Sequence, residues 1–504
     1  MLECGLFSWF IQHMYKAISV TSFITSLLVA GGVVYLAYSV YPTFTEASTD
    51  RAVLRYLGMV VSNGGVFYEE VFENKPPLLV LLLALAHKIH DHASWYLMTG
   101  IVVIASLFLL AACKKIKLPY AWLYPLLFAA LVYHPTIAAG GELIRQYTAC
   151  WSMIFLAGLF FQTKRDYFLS GLMVAFIGSF VPTELFMLLP LLVYRFFYEQ
   201  APGISVAHKR IWILTGAMTG LLPSIIYLTL QNAWTAFFDH AFLFNMKWYQ
   251  HGSLVEKAML CFQLMRSSRL TEYLLLFSVL FSLLLILRSS AKRLLIALTV
   301  ACFVLQVILF GIVEYMHLSY FYSLIPLFFW LLLNLKEASP NFFQHQQVKW
   351  FLISTAVYIV LITGKPFYYA TTPIERKGKM LLKKFPQLEE VRNKKGQIYV
   401  FNGYTALELN VQLNVQSPVY WPVLFPWSFW PDQWDKDGVL MQQDVIDALE
   451  KNKCRFLVDA RGGFQLKHQL ADRLLKVYIQ QHYEADTIPY INKEQLILWE
   501  RKRE

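Results

Sequence analysis

Apolar residues dominate the chain in long, nearly unbroken runs up to about residue 365 and only in short ones beyond it. A helix needs about 20 mostly apolar residues to cross a membrane. The first run, Ser19 to Tyr41, is too long for the apolar core of a signal peptide and reads as a first spanning helix. Further runs at 95–112, 119–138, 143–163, 166–181, 184–198, 211–230, 270–288, 293–313, 318–335 and 348–364 bring the candidate spans to eleven. A shorter run, 77–86, follows Lys75-Pro76-Pro77. It suits a half-helix that lies in or dips into the membrane.

The basic residues orient these runs. Lys114, Lys115 and Lys117 follow one run, Lys164 and Arg165 another, and His208, Lys209 and Arg210 a third; then come Arg288, Lys292 and Arg293, and lastly Lys336 and Lys349. Basic loops stay on the cytoplasmic side. The runs alternate without conflict when 77–86 does not cross, which places the N-terminus inside and 42–94 in a long outer loop. If 77–86 does cross, a further crossing is needed nearby and the total reaches 13. The expected fold is a polytopic α-helical membrane protein of 11–13 spans over residues 1–365. Residues 366–504, left on the outer side, alternate strand-length runs (Gln397–Asn402, Arg455–Ala460, Gln495–Glu500) with helical patterns (440–452, 466–480) and read as a small α/β domain.

Composition agrees with this reading and narrows it. Of 504 residues 57% are hydrophobic and only 15% charged, too few charges to coat the surface of a soluble protein this long. Mean hydropathy is +0.45. The net charge of +11 fits cytoplasmic loops and anionic lipid, not nucleic acid, because no basic stretch is interleaved with aromatics. The six cysteines form no CxxC pair. No Walker A, GxSxG, HExxH or GxGxxG motif stands in a usable context, and there is no internal repeat or inverted pair of broken helices.

Candidate chemistry collects on the outer side. Asp50 stands at the start of an amphipathic stretch, Arg51 to Val61, expected to lie on the membrane surface. It serves either as a helix cap or as a catalytic carboxylate. Lys75 precedes two prolines that extend the backbone, so its ammonium would stand at headgroup level, either snorkelling or gripping a lipid phosphate. Glu142 and Arg145, three residues apart, would either pair or face a polar cavity. Glu184 would be a cap or dipole partner. Asp239, His240, Asn245, Lys247, Tyr249 and His251 crowd a third outer loop, and His317 and Tyr320 stand at the mouth of a late span. Aromatics at 420–434 read as an interfacial belt, and Asp435-Lys436-Asp437 as turn residues.

The order of Asp50, then Gly64-Gly65-Val66-Phe67-Tyr68-Glu69-Glu70, then Lys75-Pro76-Pro77-Leu78 resembles the GT-C glycosyltransferase superfamily. It is most similar to the protein O-mannosyltransferase and lipid A aminoarabinose transferase branch. Glu142 matches the acid of the second outer loop, and His317-x-x-Tyr320 with Pro326 matches a late-span pattern. The chain departs in having Asp50-Arg51 where relatives often have Asp-Glu, Glu69-Glu70 where many have Asp, and no DxD in the second loop.

The resemblance implies transfer of a sugar from a polyprenyl-phosphate donor to an acceptor hydroxyl on a lipid, glycan or protein, at the outer face of an inner membrane. Asp50 would be the general base of an inverting displacement. Lys75, Arg145, Lys247 and His317 would hold the donor phosphate, while Glu142, Glu70, Asn245 and Tyr320 would hold sugar or acceptor. A divalent cation, Mg²⁺ or Mn²⁺, is left open. The competing readings are a polyprenyl-diphosphate oligosaccharide ligase or polymerase, a lipid or solute transporter, and a scaffold subunit. A transporter would carry charges at mid-span. A scaffold would need neither Asp50 nor Lys75.

Overall fold

The computed structural model describes residues 20–44, 49–90, 93–134, 143–200, 202–244, 253–267, 269–288, 292–310, 321–340, 377–402, 407–419, 437–459, 469–491 and 494–502. Most of its helices follow the apolar runs; the first are α1 (Val20–Phe44), α2 (Thr49–Ser62), α3 (Leu78–Ile89), α4 (Ala93–Lys115), α5 (Leu123–Val132), α6 (Ile144–Gly158), α7 (Lys164–Phe180) and α8 (Leu185–Val193). Then come α9 (Val206–Leu230), α10 (Trp234–Phe238), α11 (Leu254–Ser267), α12 (Arg269–Arg288), α13 (Arg293–Phe310) and α14 (Leu324–Ala338). The run at 348–364 and the aromatic string at 420–434 lie outside the described residues. Among the described helices, stretches of α1, α4, α9 and α12 are long and apolar enough to cross a membrane alone. Helices α3, α5 and α13 are apolar but shorter.

Burial sorts these helices. Along α14 every residue from Leu324 to Lys336 is buried, and α6 is buried on all sides from Gln146 to Gly158. The two pack together at the centre. Helices α1, α9 and α12 instead expose Leu28, Tyr35, Leu214, Met218, Leu276 and Leu287. Such an apolar exterior around a packed interior is stable in hydrocarbon and not in water.

The closest helix pair is α7 with α9. A Cβ at Gly171 would stand 1.8 Å from the Ile213 carbonyl oxygen, and one at Gly216 1.9 Å from that of Phe168. The backbones therefore touch. Gly216 and Gly220 are four apart on α9 and face Gly171 and Ala175 on α7, the small-residue crossing that membrane helices use. Caps set the ends: Thr163 accepts the Asp166 N–H ahead of α7, and Ser205 accepts the His208 N–H ahead of α9. The run at 184–198 breaks at a π turn, Tyr194–Tyr198, after Pro190. There the buried Arg195 guanidinium donates to the Gly158 and Phe161 carbonyls, both at 3.1 Å, and so closes the end of α6.

Beyond residue 376 lie α15 (Lys377–Lys384), β1 (Ile398–Asn402), α16 (Leu407–Leu413), α17 (Asp437–Lys451), β2 (Phe456–Asp459), α18 (Gln469–His482), β3 (Tyr483–Ile491) and β4 (Glu494–Arg501). The sheet order is β1-β2-β4-β3. β1 and β2 are parallel, while β4 runs antiparallel to both β2 and β3. Strands form at the three expected places, as β1, β2 and β4, but β3 was not expected from the sequence and breaks the strand–helix alternation before β4. Pro489 interrupts its pattern and is tolerated because β3 is an edge strand whose outer side needs no donor.

Candidate functional site

The site begins on α2. Asp50 lies in the first turn of this helix. The expectation that Arg51–Val61 lies on a membrane surface is corrected, because both faces are covered: α3 packs on one and α16 on the other. Leu54, Tyr56, Leu57, Met59 and Val60 are buried, and so are Arg51 and Arg55 on the polar stripe. The reason is charge neutralisation. Arg55 Nη1 donates to Glu408 Oε2 at 2.6 Å, which lets a second element cover the charged face.

Helix α2 ends at Ser62, and Gly64 turns the chain with φ +89°. The following loop is tied at several points. The Phe67 N–H donates to the Tyr227 hydroxyl of α9 at 2.8 Å. Tyr68 sits in the left-handed region at φ 74°, uncommon for a bulky residue, and its hydroxyl donates to the Lys75 carbonyl at 2.5 Å. Its ring stacks on His240 at 6.1 Å. Phe72 meets the same imidazole edge-on at 5.3 Å. Burial pushes the His240 imidazole below its ordinary value, with Asp239 partly opposing, so the ring is neutral at pH 7.

Lys75 stands three residues ahead of α3, behind Pro76 and Pro77. Its ammonium donates to Glu73 Oε1 at 2.8 Å. The lysine side chain is 34% exposed and the glutamate only 6%. A buried carboxylate thus holds a half-exposed cation, with the Asn74 N–H donating to the same oxygen. Glu73 was missed by sequence reasoning; its place two residues before a Lys-Pro-Pro string was the available signal.

Glu70 turns away from this cation. Its carboxylate accepts from Lys395 Nζ at 2.6 Å and from Gln416 Nε2 at 3.0 Å. Burial alone would raise its carboxyl, but those two donors and the Val66 N–H outweigh it and hold the group below the ordinary value. Glu70 therefore binds the C-terminal segment, which is a different place from the sugar or acceptor role expected of it.

Arg145, in the first turn of α6, pairs with Glu184 at 2.5 Å. Glu184 is more than a cap. Its side chain is 2% exposed, and it also accepts from Gln306 Nε2 at 3.1 Å and from the Ser323 hydroxyl. Gln306 in turn accepts the Met187 N–H at 3.0 Å. This network joins the starts of α6, α8 and α14 to α13. Ser323 follows Tyr320 by three residues and His317 by six. Glu142, Asn245, Lys247, His317 and Tyr320 all lie outside the described residues. Among the described residues no group of three or more His, Cys, Asp or Glu could hold a metal ion.

By fold, the chain is similar to solved structures of ArnT from Cupriavidus metallidurans. The form bound to undecaprenyl phosphate aligns with a TM-score of 0.57 at 11% identity, covering 95% of this chain and 98% of that one. The apo form aligns with a TM-score of 0.55 at 10% identity over the same shares. The likeness is one of fold. It takes in almost the whole of each chain. No protein-family model matches the sequence, and no curated protein matches it.

Proposed function

We propose that this protein is a membrane glycosyltransferase that takes a sugar from a polyprenyl-phosphate donor and joins it to an acceptor hydroxyl at the outer face of an inner membrane. One observation carries the reading. Over 95% of its length the chain is similar to a structure bound to undecaprenyl phosphate, and at the head of its short apolar helix α3 it presents the half-exposed Lys75 ammonium.

The chemistry needs three things. The acceptor hydroxyl must lose its proton as it attacks the anomeric carbon. The carbon–oxygen bond to phosphate must break behind it, and the departing phosphate must be stabilised. Asp50 takes the proton. One carboxylate is enough for an inverting displacement, because a phosphate needs little protonation to leave; a positioned base contributes about 10²–10⁴-fold. Lys75 pairs with the phosphate, as a compact ammonium does at lipid headgroup level. Glu73 holds the Lys75 ammonium and the Tyr68 hydroxyl holds its backbone carbonyl, which fixes the residue's place beforehand, so little reorganisation accompanies the reaction. Arg145, Lys247 and His317 supply further positive charge. Glu142, Asn245 and Tyr320 bind sugar and acceptor hydroxyls.

The test is transfer from a synthetic undecaprenyl-phosphate sugar, followed as release of undecaprenyl phosphate in a lipid extract of the host envelope. Asp50→Asn is expected to lower the rate by about 10²-fold or more while the protein stays folded and binds undecaprenyl phosphate. Near wild-type turnover by Asp50→Asn would remove Asp50 from the mechanism. Absence of release by the wild type with every sugar tried would remove the reading itself.

A further inference from the structure

From the C-terminal part, Lys395, Glu408, Asn414, Gln416 and Ser417 contact α2 and the loop after it, and the contact nearest Asp50 uses charge. Arg55 and Glu408 are both 6% exposed and meet at 2.6 Å. One residue on, the Tyr56 hydroxyl accepts the Ser417 backbone N–H at 2.8 Å. Past the end of the helix, Asn63 Nδ2 donates to Asn414 Oδ1 at 2.7 Å, and Glu70 accepts from Lys395 and Gln416. These contacts run from about a turn and a half after Asp50 to the turn beyond Ser62.

Among the described residues of this contact, only the pair nearest Asp50 is a fully buried ion pair; in the other, Lys395–Glu70, the side chains are 65% and 34% exposed. A buried pair is a poor source of stability, since removing two charges from water costs about what their attraction returns, and apolar residues would hold the faces as well. What a buried pair adds is registry. Arg55 Nη1 reaches Glu408 Oε2 in this rotation of α2 against α16, while Glu408 Oε1 is buried with no hydrogen-bond partner, so a rotation that parted the two would leave the carboxylate buried without its cation. The rotation of α2 also sets where its first turn points.

We propose that Arg55 and Glu408 are positioning residues. Their pair fixes α2 against the C-terminal segment and so holds the Asp50 carboxylate in its working orientation. The C-terminal part is then a component of the active site and not a separate appendage. This inference rests on the reading of Asp50 as general base.

The test uses the full chain in detergent or nanodiscs. Glu408→Gln keeps the volume and removes the charge. Its kcat in the release assay is expected to fall by 10-fold or more, while binding of undecaprenyl phosphate by native mass spectrometry stays within twofold, because Lys75 is held independently by Glu73 and Tyr68. Lys395→Ala, at the exposed rim, is expected to change kcat by less than twofold. Where Glu408→Gln does not purify as folded protein, Arg55→Lys carries the same expectation. The double reversal Arg55→Glu/Glu408→Arg should recover at least part of the kcat lost in either single variant.

A lowered melting temperature with unchanged kcat would overturn the inference and leave the pair a purely structural contact. So would parallel loss of kcat and lipid binding, or a double reversal no better than the worse single variant. Asp50→Asn is run alongside. If it stays active, the general-base reading has failed; if it is inactive while Glu408→Gln is fully active, only the positioning role has failed.

Discussion

Replacing Arg145 by Met should unfold the helical part at a measurably lower temperature, and the size of the effect can be worked from the burial of its partner. Glu184 is 2% exposed, so water cannot take the place of the guanidinium. Gln306 and Ser323 still donate to the carboxylate, but neither carries charge. Removing one partner of a buried pair costs about 3–5 kcal/mol, and the two remaining donors place this case toward ~3 kcal/mol. The unfolding entropy of roughly 2 cal/mol/K per residue gives about 1 kcal/mol per kelvin for a chain this long, so the melting temperature should fall by about 3 °C. The double variant Arg145→Met/Glu184→Gln removes the stranded charge and should recover most of that loss. The assay is intrinsic-fluorescence melting of purified protein at fixed detergent and pH, with both variants beside the wild type. A single variant that melts with the wild type, or a double variant that melts with the single, would refute the argument that an uncompensated carboxylate is the cause.

Three further outcomes follow from the geometry. Gly216→Leu should prevent tight packing of α7 on α9, because even its Cβ would stand 1.9 Å from the Phe168 carbonyl oxygen; yield and monodispersity on size exclusion read this directly, while Gly100→Leu, in open space, should behave as wild type. The Glu70 carboxyl titrates below its ordinary value of 4.5 in the folded chain, so its contribution to docking of the C-terminal segment is present above that value and lost as pH falls below it. Hydrogen exchange in 395–417 should therefore quicken on acidification more in the wild type than in Glu70→Gln, and equal slopes would contradict this. Glu73→Gln should weaken undecaprenyl phosphate binding less than Lys75→Ala does, since it loosens the ammonium without removing it; the two dissociation constants decide the point.

The helical part was legible because the apolar runs are continuous and the basic loops punctuate them, so lipid-facing and central helices announce themselves equally. Their ends were less so: the run at 119–138 supplies α5 over only ten residues, Leu123–Val132, and the run at 184–198 passes through a π turn at Arg195. Neither limit has a periodic signature. The Gly216–Gly220 spacing on α9 was a readable signal that was passed over, whereas its partners Gly171 and Ala175 could be chosen only from the packed pair.

In the candidate site, Asp50 and Lys75 stood out because costly charges and a proline pair mark them in the sequence itself, while Tyr68 entered only within the string that carries the resemblance. Glu408 did not, because nothing local says that a carboxylate on a seven-residue helix will meet Arg55, 353 positions away. Arg145 and Glu184 were each singled out, but proximity in sequence favoured Glu142 as the partner. The tertiary fold instead offers a buried carboxylate 39 positions on. Glu70 likewise looked like a ligand for sugar and is engaged by Lys395 and Gln416, which no local pattern ties to the outer loop.

The most direct measurement is native mass spectrometry of the purified chain with undecaprenyl phosphate, for wild type, Asp50→Asn and Lys75→Ala. The account predicts saturable binding of one lipid by wild type and Asp50→Asn, lost or weakened at least 10-fold in Lys75→Ala. Well-folded wild type that binds no polyprenyl phosphate, or Lys75→Ala that binds it as tightly as wild type, would contradict it.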